Sequence, residues 1–79
     1  MAKAKIFSTP TCHYCRLAKE WMNENNVEFE EVDVKADLEA RKFMIEQSNQ
    51  MGVPVTITAE GQVLVGFNGF QFKEAFGIE

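Results

Sequence analysis

Ser8-Thr9-Pro10-Thr11-Cys12-His13-Tyr14-Cys15 separates a short apolar, strand-like stretch, Lys3 to Phe7, from a helix-like one that begins at His13. Ser8, Thr9, Pro10 and Thr11 supply turn and helix-start chemistry, which puts the two cysteines at the head of the helix. There the first thiol of a C-x-x-C faces unsatisfied backbone N–H groups and the positive end of the helix dipole, which favour its thiolate. Cys15 lies one turn on, close enough to close a disulfide. A redox dithiol is the leading reading of such a pair. Metal binding is the other, because in a reducing compartment a C-x-x-C is more often catalytic or metal-binding than structural.

Beyond the pair, Tyr14, Leu17, Ala18, Trp21 and Met22 recur at the three- and four-residue spacing of an amphipathic helix, which Asn25-Asn26 ends. Val27 to Val34 alternates imperfectly, with Phe29, Val32 and Val34 inward and Glu28, Glu31 and Asp33 outward, as in a strand with a local irregularity. Glu28, Glu30, Glu31 and Asp33 read as a solvated strand face. Asp37 caps a second helix whose buried stripe uses Leu38, Ala40, Phe43, Met44 and Met51, with Gly52 as its stop. Val55 to Thr58, a turn over Ala59-Glu60-Gly61-Gln62, and Val63 to Val65 describe a hairpin. A short helix from Phe70 to Phe76 closes the chain. The order βαβαββα favours a parallel pair joined by a helical crossover, extended by an antiparallel hairpin into one four-stranded mixed sheet flanked by three helices.

Size and composition bound the rest. At 79 residues, 46% apolar and with seven phenylalanines, the chain suffices for a single domain over residues 1–79 and is too short for two independently cored ones. A net charge of −4 with scattered basic residues argues against nucleic acid, which needs clustered Lys and Arg. There is no 18-residue apolar run, and the stretch after Met1 is too short for a signal peptide, so the expectation is a cytoplasmic protein with no membrane contact.

Cys12-His13-Tyr14-Cys15 after the first strand, Gly52-Val53-Pro54 before the third and Gly66-Phe67-Asn68 after the fourth stand in the order and spacing of a known family. On these pieces, over essentially its whole length, the sequence resembles the glutaredoxins, small members of the thioredoxin-fold family. The resemblance implies the thioredoxin fold, a cis peptide bond at Val53-Pro54, and a thiol-disulfide oxidoreductase. In that activity Cys12 attacks a disulfide sulfur and Cys15 resolves the mixed disulfide, with His13, Tyr14 and Pro54 tuning the thiols. It also implies glutathione as co-substrate with no tightly bound cofactor and no metal. Disulfide-containing or glutathionylated proteins are the implied partners of a monomer. Candidate substrate-binding residues are Thr11, Arg41, Val53, Pro54, Gly66, Phe67 and Asn68. Val53 offers backbone groups to an extended peptide, Arg41 stands where the family has Gln or Arg, and the amides around Asn68 can meet a carboxylate.

Bland readings stand beside these. Arg41 on a charged helix face is ordinarily solvated, Phe67 and Tyr14 also suit a core edge, and an exposed His13 needs no role. Three departures from the family pattern are Thr9 in place of a frequent Lys, Gly66-Phe67 with no following Asp in place of Gly-Gly, and His13 in place of Pro. The missing cationic and acidic contacts motivate an alternative: a redoxin fed by thioredoxin reductase that donates electrons to a reductase such as ribonucleotide reductase. A third reading, a dimeric iron-sulfur or metal-binding module, is short of ligands, since one chain offers two thiols and one histidine. A native selenocysteine at position 12 is also compatible with the pattern.

Overall fold

A computed structural model describes residues 3–78; Met1, Ala2 and Glu79 lie outside the described residues, and with them the start of the N-terminal stretch and the ends of the 1–79 span. The element order is β1 (Ala4–Ser8), α1 (His13–Glu24), β2 (Phe29–Asp33), α2 (Leu38–Ser48), β3 (Val55–Ile57), β4 (Val63–Val65) and α3 (Gly69–Phe76). The strands form one sheet in the order β2-β1-β3-β4. β1 runs parallel to β2, pairing Ala4 with Phe29 and Ser8 with Asp33, whereas β3 is antiparallel to both β1 and β4. This is the four-stranded mixed sheet and three-helix architecture of the thioredoxin fold.

Successive residues of β1 point to opposite sheet faces, and each face has its own core. Ile6 joins Ala18 and Met22 of α1, Leu64 of β4 and Phe72 of α3, with Trp21, Phe67 and Phe76 packed around them. Its neighbour Phe7 joins Val34, Met44 of α2 and Val55. The sheet is therefore a middle layer, with α1 and α3 on one face and α2 on the other. Trp21, Phe67 and Phe76 all lie within 6 Å of the buried Phe72 ring, at centroid distances of 5.4, 5.1 and 5.8 Å.

Two-sided burial accounts for the imperfect alternation in β2. Phe29 packs on the α1/α3 face, while Val32 and Val34 pack on the α2 face, so no irregular residue is needed. The stripe expected on α2 needs correction as well. Met44 is buried and Ala40 and Ile45 are partly so, but Leu38 is 66% exposed, Phe43 45% and Met51 66%. One residue turns a helix by about 100°, so placing Met44 inward swings Phe43 to the flank, where its ring meets Phe7 at 5.8 Å. The helix also stops before Gly52. Asn49 takes the left-handed conformation (φ 59°) and donates its N–H to Ile45 O at 2.8 Å, while Ser48 Oγ donates to Met44 O at 2.7 Å. The expected Asp37 cap is present, accepting the Ala40 N–H at 3.1 Å.

Candidate active site

Cys12 is the N-cap of α1, with extended backbone (φ −85°, ψ 117°). A tight turn delivers it there, its N–H donating to Thr9 O at 3.3 Å, and its own C=O accepts the first helical bond from Arg16 N–H at 3.3 Å. Its Sγ accepts the Cys15 N–H at 3.2 Å and directs its thiol toward Val53 O at 3.9 Å. Of the unsatisfied amides at the helix start, that of Cys15 makes the bond. Cys12 is half-buried, Cys15 is 1% exposed, and both are free thiols. Burial pushes the Cys15 thiol up to about 12, and its hydrogen bond to Cys12 adds to the rise, while the Thr9 backbone and the nearby Lys19 charge pull it down.

The Val53-Pro54 peptide bond is cis and Pro54 is buried. Pro54 O accepts the Gly66 N–H at 2.9 Å, tying the end of β4 to the proline. Gly66 adopts φ 75°, a conformation open to glycine at little cost. Hydrogen bonds thus link the Cys12 sulfur to Cys15 and Val53, and a separate backbone bond ties the adjoining Pro54 to Gly66. Phe67 turns away into the core against Phe72, and the Asn68 side chain caps α3, its Oδ1 accepting the N–H groups of Phe70 at 3.0 Å and Gln71 at 3.2 Å. The amides expected to greet a carboxylate thus already hold a side-chain oxygen. Tyr14 is 59% exposed and stacks edge-on with the exposed His13 at 5.6 Å. Thr11 lies exposed beside Cys12, and Arg41 is exposed on α2 with no side-chain polar partner among the described residues.

A polar trio behind the site escaped the sequence reading. Glu31 Oε2 accepts from Lys19 Nζ at 2.6 Å and from Ser8 Oγ at 2.9 Å. The Lys19 bond, followed by that of Ser8, holds the Glu31 carboxyl below its usual range. Glu31 is exposed, as the solvated strand face expects, and it points to the same side of the sheet as Phe29, toward α1, where it meets Lys19. The available signal was Lys19, four residues after Cys15 and so on the same helix face. Among the described residues no three His, Cys, Asp or Glu side chains gather as a metal site, and no helix is long and apolar enough to cross a membrane.

Comparison with known proteins bears on this geometry. Residues 4–63 match the family model described as glutaredoxin. A glutaredoxin-like 8.6 kDa protein of the rubredoxin operon of Clostridium pasteurianum is 45% identical over 64 residues, covering 81% of this chain and 84% of that protein. The crystal structure of a mutant thioredoxin-like protein superposes with a TM-score of 0.89 at 32% identity, covering 100% of both chains. NrdH-redoxin of Escherichia coli, described as a glutaredoxin-like protein with a thioredoxin-like activity profile, shares the fold with a TM-score of 0.81 at 22% identity, covering 91% of this chain and 92% of that one.

Proposed function

The chain belongs to the glutaredoxin family, and from that premise we propose that it is a thiol-disulfide oxidoreductase with Cys12 as nucleophile and Cys15 as resolver. The observation that carries this reading is the asymmetry of the two thiols. Cys12 Sγ sits half-exposed at the helix start, within reach of a substrate disulfide and with the Cys15 N–H donating to it, whereas Cys15 is buried and its thiol is pushed up to about 12. The Cys12 thiolate attacks one sulfur of a substrate disulfide and expels the other as a thiolate. Cys15, losing its proton, then attacks Cys12 Sγ and expels the second substrate thiolate. The dithiol is oxidised to a disulfide, the substrate gains two electrons, and two protons pass to the leaving thiolates. His13 and Tyr14, between the two cysteines in sequence, and Pro54, next to the Val53 that meets the sulfur, tune the thiols in this reading.

Glutathione is the electron donor in this reading. Val53 offers the backbone contact, and Arg41 and Thr11 offer side chains to its carboxylates, in a monomeric cytoplasmic protein with no resident cofactor. A second donor, thioredoxin reductase, is favoured by Asn68, whose side chain fills the α3 amides a glutathione carboxylate would use. The thioredoxin-like activity profile of the E. coli neighbour points the same way. The two are separated by reducing the oxidised protein with glutathione plus its reductase, and with thioredoxin reductase plus NADPH, and comparing rates. Faster reduction by glutathione upholds the first reading, and faster reduction by thioredoxin reductase replaces it with the second.

A further inference from the structure

The chain carries a formal charge of −4, yet the surface beside Cys12 is cationic. A cleft of about 270 Å³ opens along residues 9–13 and is walled by Arg16 and Lys19 of α1. No carboxylate lines it. Arg16 is exposed and forms no ion pair among the described residues; Lys19 leans on Glu31, which lies outside the cleft, and His13 stands exposed at its mouth. The opposite charge gathers elsewhere. The groove between β2 and α2 is lined by Glu30, Glu31, Asp33, Asp37 and Glu39, with Lys5 as its one basic group. The molecule is thus polarised, with its positive end at the reactive sulfur.

We propose that this cleft selects disulfide substrates carrying a carboxylate within a residue or two of the attacked cysteine, with Arg16 as the specificity-determining group. The inference rests on the dithiol reading above. A peptide sulfur bonded to Cys12 leaves its neighbouring residues only a few ångströms away, within reach of the Arg16 guanidinium. A carboxylate there gains a pairing that a neutral or basic residue does not, and the field also steers acidic segments toward the sulfur. The covalent steps are unchanged. Cys12 takes the peptide sulfur and releases the other thiolate, then Cys15 releases the peptide thiol, both electrons coming from the dithiol.

The test is single-turnover reduction of two peptides that differ only in Glu or Gln beside the cysteine, each as a mixed disulfide with 2-mercaptoethanol. Pre-reduced protein supplies both electrons, so the outcome does not depend on the physiological donor. The wild type is expected to reduce the Glu peptide about threefold faster at low salt, the scale of an exposed ion pair. The ratio should approach one near about 1 M salt. Arg16→Gln should erase the preference and Arg16→Glu invert it, while Lys5→Glu, which makes the same change in net charge on the other face, should keep it. A wild type without preference, a preference that survives Arg16→Glu, or equal loss in Lys5→Glu would overturn the assignment. A wild type that reduces neither peptide overturns the dithiol reading itself.

Discussion

Cys12 and Cys15 stand three residues apart, but one is a half-exposed helix cap and the other is a core residue, and burial separates their chemistry. The folded protein holds Cys15 as a thiol up to about pH 12, whereas an unfolded chain releases that proton near the ordinary value of 9.0. Between these two values the unfolded state binds fewer protons, so stability falls as pH rises, by at most about 1.4 kcal/mol per pH unit. Below about 9 the contribution is fully present. Urea unfolding of the reduced protein across this window should show the slope, and Cys15→Ala should lack it. The placement of the cysteines was legible in the sequence, because the turn residues before them and the apolar stripe after them put both at the start of a helix. Glu31 was not. Its pairing with Lys19 and Ser8 depends on which sheet face each β2 residue serves, and an edge strand that is only partly covered on either face has no clean alternation to reveal that.

At the scale of elements, each helix and strand lies where the apolar pattern and the turn residues place it, within a few residues at the ends. Misjudged features arose where a polar side chain competes for the backbone. Ser48 Oγ donates to Met44 O and, with the left-handed Asn49, ends α2 before the glycine that advertised a stop, and Asn68 spends its oxygen on the first amides of α3. Asn68→Ala removes both cap bonds and should lower stability by about 1 kcal/mol, visible as a lower melting temperature, whereas Asn68→Asp should retain most of it. β3 holds a different mismatch. Thr56 sits between Ile6 and Leu64 on the α1/α3 face, fully buried, with no partner for its hydroxyl among the described residues. Thr56→Val keeps the shape and removes the orphan, so the urea midpoint should rise by the equivalent of about 1 kcal/mol.

The whole molecule is a thin sheet with separate cores on its two faces and a Cα radius of gyration of 11.5 Å, and the Cys12 sulfur lies where α1 begins beside the Val53-Pro54 bend. That convergence was readable only through family resemblance, because composition and periodicity do not say that residues 41 positions apart, Cys12 and Val53, meet. The charge separation between the Cys12 cleft and the α2 groove was hidden for the same reason: Arg16 and Lys19 stand three residues apart on α1, but only folding shows that no carboxylate lines their cleft and that the acidic residues of β2 and α2 share one groove. The central claim is that Cys12 attacks and Cys15 resolves. Intact-mass analysis of Cys15→Ser and Cys12→Ser, each incubated with a glutathionylated peptide, tests it most directly. Cys15→Ser should accumulate one covalent adduct of glutathione or peptide, released by dithiothreitol, and Cys12→Ser none. An adduct forming as readily on Cys12→Ser would contradict it.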